Sequence, residues 1–70
     1  MTEIFVYLIG EQVDVRRPVQ ALYLHDDVYE ITDQVYDRES EKWEFEPGDQ
    51  VVCEFVDSDD GPSLTATRRA

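Results

Sequence analysis

The hydrophobic positions along the chain change period rarely, and they favour two residues over three or four. "IFVYLI" (residues 4–9) is a continuous β-branched and aromatic run that Gly10 ends. A run of this length suits a strand buried on both faces, or one whose outer face is covered by something else. Glu3 and Glu11 flank it as charged gatekeepers. In "VDVRRPVQALYL" (13–24), Val13, Val15, Arg17, Val19 and Ala21 alternate with Asp14, Arg16, Pro18, Gln20 and Leu22, the pattern of a half-buried strand. Pro18 has no N–H to give to a ladder, so the strand is expected at an edge, a bulge or a bend there.

His25-Asp26-Asp27 reads as a turn, and "VYEI" (28–31) as a short strand with Tyr29 and Ile31 on one face. The polar stretch 32–42 is the widest loop. It has room for one helical turn at 37–42, and Val35 and Tyr36 are expected to fold back onto the body. In "WEFEPGDQVVCEF" (43–55), Trp43 and Phe45 alternate with Glu44 and Glu46, and Val51, Cys53 and Phe55 share a face. Glu46-Pro47-Gly48-Asp49 fits a type II turn, with proline presetting the first central residue and glycine supplying the positive φ of the second. The whole stretch therefore reads as a hairpin. A second turn at 57–63 leads to a last strand, "LTATR" (64–68).

Five or six short antiparallel strands without a convincing helix predict a single all-β domain over residues 1–70. The expected form is an SH3-like small barrel or curled antiparallel sheet of about five strands. The predicted core is Ile4, Val6, Leu8, Val15, Val19, Ala21, Tyr29, Ile31, Trp43, Phe45, Val51, Cys53 and Phe55.

Charge changes the picture more than composition does. Seventeen acidic residues against six basic ones give a net charge of −11 on 70 residues. Such a field repels phosphate backbones and anionic headgroups, so neither nucleic acid nor membrane is expected as a partner. The acids run from Glu3 to Asp60 rather than forming a tail, and spread charge of this kind serves solubility first. Arg16-Arg17 and Arg68-Arg69 are the only basic pairs, and they read as partners for surrounding acids. A lone Cys53 excludes an internal disulfide, which in so small a fold favours a reducing cytoplasm. The apolar run at 4–9 is too short for a signal peptide core with the right flanks or for a membrane span.

Candidate chemistry is thin. Cys53 sits between Val51 and Phe55 with no nearby cation to form a thiolate, so it reads as a buried structural residue. His25 is the only histidine and stands in a turn beside two aspartates. "DSDDG" (57–61) approaches a calcium loop, but Gly61 comes one residue early and Arg stands at both 68 and 69; weak divalent-ion binding at this cluster is an alternative reading. Glu44 and Glu46 lack the apolar pocket that would split a carboxylate pair into acid and base. The three glycines, at 10, 48 and 61, form no phosphate loop. No catalytic residue, cofactor or metal is expected.

The residues 13–55 resemble a set of small uncharacterised bacterial proteins of similar length, whose pattern runs R-P-V-x-A, Y-x-I, W-x-F-x-P-G-x-x-V-x-C. Arg17-Pro18-Val19, Ala21, Tyr29, Ile31, Trp43, Phe45, Pro47-Gly48, Val51 and Cys53 carry the match. Many of those proteins have Trp where this chain has Arg16. The resemblance implies a fold and no activity.

The expected function is a non-enzymatic bacterial interaction module, meeting a protein partner, a basic one by charge complementarity. Its candidate contact surface is Asp26, Asp27, Glu39, Glu41, Glu44 and Glu46. The same six residues serve an alternative, an inhibitor or immunity-type protein that mimics nucleic-acid charge with a row of carboxylates. A further expectation is that strand 4–9 either pairs across a homodimer or has its outer face covered by the 32–42 loop.

Overall fold

The computed structural model describes residues 1–10 and 15–70; the expected strand start at Val13-Asp14 and the gatekeeper Glu11 lie outside the described residues. Five strands follow one another: β1 (Thr2–Tyr7), β2 (Arg16–His25), β3 (Val28–Ile31), β4 (Gln50–Ser58) and β5 (Gly61–Arg69). They close into a small barrel of SH3-like kind in sequence order, and no helix occurs among the described residues. Each consecutive pair is antiparallel, while β1 and β5 meet in parallel at Phe5↔Thr65. An odd number of strands joined by reversals leaves the first and last running the same way, so a closed meander of five must contain one parallel seam.

The core is the inward half of the alternation. Ile4 and Val6 of β1, Val19 and Ala21 of β2, Ile31 of β3, Val51 and Cys53 of β4 and Ala66 of β5 are buried, and Trp43 and Phe45 join them from the long connection 32–49. Leu8, Tyr29, Tyr36 and Leu64 pack half-buried against this cluster, and Val15 is half-buried as well. No buried side-chain nitrogen or oxygen lacks a partner among the described residues.

Phe55 departs from the expected core: it is 74% exposed. It keeps the face of Val51 and Cys53, but β3 ends opposite Val52, so nothing lies across from Phe55 on that side. Thr65 and Ala66, which did not stand out as core positions, are both fully buried. Ala66 faces inward, while Thr65 faces out beneath the Arg16 guanidinium, whose Nη1 donates to Thr65 Oγ1 at 3.2 Å.

The stretch 43–55 is not a hairpin. Trp43 makes only an isolated bridge to Leu8, and a strand begins again at Gln50. The turn at 46–49 is nevertheless present: Asp49 N–H donates to Glu46 O (3.0 Å), with Gly48 at φ +95°. Its two arms do not pair with each other because each has another partner. Glu44 N–H donates to Tyr7 O and Ile9 N–H to Lys42 O, while Gly48 N–H donates to Ile31 O. The first arm thus lies along the end of β1, and the second enters the sheet between β3 and β5.

Both backbone edges of the 4–9 segment are therefore engaged within the chain, by β2 on one side and by β5 and residues 42–44 on the other. On its outer face the Arg16 guanidinium lies 5.6 Å from the centre of the Phe5 ring. The 32–42 loop instead folds Tyr36 onto Trp43, with ring centres 4.2 Å apart and planes 19° from parallel, and leaves Val35 exposed. At 37–41 it makes the single turn of helical type that the sequence had room for, Ser40 and Glu41 N–H both donating to Asp37 O, and it does not extend into a helix.

Pro18 stands where its missing N–H costs nothing. Leu8 N–H donates to Val15 O, and Gln20 N–H donates away from β1, to Gln34 Oε1 (3.0 Å). By alternation, Pro18 also points away from β1, on a part of β2 that β3 does not reach.

Candidate functional site

The six carboxylates of the expected contact surface fall into two groups. Asp26 and Asp27 form the two-residue turn between β2 and β3, with Asp26 at φ +49°. Glu39, Glu41, Glu44 and Glu46 belong to the long connection, which docks near the other end of β2. There Glu41 accepts from Arg17 Nε (2.8 Å) and from the Trp43 indole N–H (2.8 Å). Glu46 accepts from Arg38 Nε at 3.0 Å. Ten-residue β2 separates the groups, so they form no continuous row, and two of the four loop acids are already neutralised by arginines.

The surface that sequence reasoning missed lies where inward-facing positions run past the end of the core. Tyr23 follows Ala21 on β2, and Tyr29 precedes Ile31 on β3; the two tyrosines are register partners whose rings meet edge to face at 5.3 Å. Tyr23 is 52% exposed and Phe55 is open on the same side of β4. A soluble barrel places such residues inside when a neighbouring strand covers them. Here β3 is only four residues long and β4 nine, so the sheet runs out before the side chains do. The signal was present in the sequence only as unequal strand lengths. The backbone oxygen of Asp27 accepts from Cys53 N–H (2.8 Å), which fixes the acidic turn beside this aromatic end.

Burial pushes the Cys53 thiol up to about 11, with the Asp27 carboxylate adding to the effect. Tyr29 is raised too, first by burial and then by Cys53, Tyr23 and Asp27. Both groups thus stay protonated and unreactive near neutrality. Asp37 is lowered, chiefly by the Ser40 hydroxyl and then by the Glu39 amide, which is ordinary turn chemistry. His25 Nδ1 lies 3.2 Å from Asp26 Oδ2, and both side chains are largely exposed.

A concavity of about 460 Å³ opens on the outer face, lined by Phe5, Arg16, Ser58, Asp59, Asp60 and Ser63 among others. The Arg16 guanidinium there is committed to the Thr65 hydroxyl and the Phe5 ring, so its polar groups do not converge on a common point. The Asp57–Asp60 turn does not gather ligands: among the described residues no three His, Cys, Asp or Glu side chains are disposed to hold a metal ion. Ser58 Oγ instead donates to Gly61 O, closing an ordinary two-residue hairpin. Of the basic pairs, Arg17 meets Glu41, Arg68 meets Glu54 and Arg69 meets Asp49. Among the described residues no helix is long and apolar enough to cross a membrane.

Comparison with protein-family models, with curated proteins and with solved structures finds no match to this chain.

Proposed function

We propose that the chain is a non-enzymatic interaction module that meets a cationic protein partner with the acidic, aromatic end of its barrel. One observation carries the reading: Tyr23 and Phe55 occupy inward strand positions yet stand open to solvent, with Asp26-Asp27 in the turn that follows β2 and Asp57 two residues beyond Phe55 on β4. Exposed aromatics at the end of a rigid scaffold supply contact area at low entropic cost, and surrounding carboxylates favour lysine and arginine by long-range attraction. Cations also sit well over tyrosine faces. The net charge of −11 extends that attraction over the whole domain.

The test is affinity capture on the immobilised protein at low and at physiological salt, followed by identification of what is retained. Basic proteins are expected to bind the unaltered chain and to be lost from a Tyr23→Ala/Phe55→Ala double variant. Retention of nothing basic at either salt, or equal retention by the double variant, would overturn the reading.

A further inference from the structure

We infer that the edge of β4 at Phe55–Asp57 is a docking edge, where an extended cationic segment of the partner adds as one more strand. The inference rests on the interaction-module reading and specifies how the partner binds.

In an antiparallel ladder, alternate residues turn both N–H and C=O to one edge, and the residues between turn theirs to the other. On β4 the odd-numbered residues face β3. Ile31 N–H donates to Asp49 O, and Cys53 N–H donates to Asp27 O. The even-numbered residues face β5, since Ser58 and Gly61 close the hairpin over two residues. Phe55 and Asp57 therefore turn their backbone groups to the β3 side. There β3 has already ended: its pairing stops at Val28↔Val52, and the chain turns away at Asp26-Asp27. Among the described residues no strand pairs with Phe55 or Asp57 on that side.

Among the described residues β2 and β5 also have incompletely paired edges, and both are blunted. On β2, Pro18 holds an outward position and the Gln34 amide fills the next, bonding both N–H and C=O of Gln20 at 3.0 and 2.9 Å. On β5, Gly61 faces β4, so Pro62 faces outward, and β1 meets that edge only at Phe5↔Thr65. Proline or a covering group at an open edge is the usual protection against unwanted strand pairing. The β4 edge lacks it. Phe55 adds a 74% exposed ring on the face where alternate side chains of an added strand would lie.

Charge selects the occupant. Asp27 and Asp57 make no ion pair among the described residues. A second copy of this chain would bring another −11 and its own Asp57 to the same edge. A lysine- or arginine-bearing strand meets the opposite situation.

The experiment uses the full chain and a short end-blocked peptide of alternating lysine and valine, read by amide hydrogen exchange and by binding titration. Saturating peptide is expected to slow exchange at Phe55 and Asp57 at least about tenfold, and to leave Glu54 and Val56, already bonded to β5, unchanged. Asp57→Pro removes one outward N–H at a position an edge tolerates, and is expected to weaken binding about tenfold. Asp57→Asn keeps that N–H and is expected to weaken it less than about threefold. Binding without the alternating protection, or equal losses in the two variants, would overturn strand addition while leaving the module reading intact. A peptide that does not bind at low salt overturns strand addition as well, and the lysate capture then judges the module reading separately. Self-association of the free chain that Asp57→Pro abolishes would assign the edge to a second copy and also overturn the inference.

Discussion

Replacing Trp43 by alanine decides whether the 43–45 segment is an anchor of the barrel or a surface for something else. Trp43 is 2% exposed. Its ring stacks on Tyr36, its indole N–H donates to Glu41, and its backbone N–H donates to the Tyr36 hydroxyl at 2.7 Å. Removing so large a buried ring costs about 3–5 kcal/mol from lost burial and the cavity left behind. A chain of this length has a total stability of roughly 4–10 kcal/mol, so the variant is expected to lie close to unfolding. With a urea dependence of about 1–1.5 kcal/mol per molar, the midpoint should fall by about 2–5 M. Trp43→Phe keeps a ring on Tyr36 and loses the indole and its bond to Glu41, costing about 1–2 kcal/mol. Glu41 retains Arg17 in that variant. Far-ultraviolet circular dichroism through a urea titration reads both variants, since neither keeps the sole tryptophan. An alanine cost below about 1 kcal/mol would refute the anchoring argument, and the segment would then have to be read as a site.

Other outcomes follow from the same geometry. Phe55→Ala should change stability by no more than about 0.5 kcal/mol in the same titration, against the several kcal/mol of a core phenylalanine; a larger loss would mean that the ring is covered. The Cys53 thiol, whose ordinary value of 9.0 rises to about 11 in the fold, stabilises the native state fully below pH 9. That contribution is lost as pH climbs through about 11, because the unfolded chain releases its proton first. Urea midpoints measured from pH 8 upward should therefore fall for the natural chain and fall less for Cys53→Ala, and parallel curves would contradict the assignment. Gly48→Ala meets no atom within 4 Å of its new Cβ but must hold φ +95°, so its cost is conformational, about 1–2 kcal/mol. D-alanine at that position, introduced by chemical synthesis, should carry no such loss; equal losses from both would point to an unseen clash.

Much of the fold was legible because each strand of a small barrel carries its own record of inside and outside. Val19 and Ala21, Val51 and Cys53, and Ile4 and Val6 are buried at the spacing of two that the sequence displays. The turn at 46–49 was legible for a similarly local reason, since proline and glycine set φ at their own positions. Phe55 and Thr65 show the limit. Alternation says which face a side chain takes, and only the neighbouring strand says whether that face is covered. Burial of Thr65 depends on Arg16, forty-nine residues away in sequence, laying its guanidinium across the seam between β1 and β5.

The carboxylate surface shows the same limit for function. Six acids chosen for their density in the sequence separate in space, because Asp26-Asp27 and the 39–46 loop belong to opposite ends of β2. By itself the sequence determined the strand periodicity, the turn chemistry and the strongly negative charge, all of which act locally or by simple summation. Only the tertiary structure decided which strand edge stays open and which aromatics stand bare. Both depend on where one strand stops relative to the next, and that is set by the closure of the barrel rather than by any one segment.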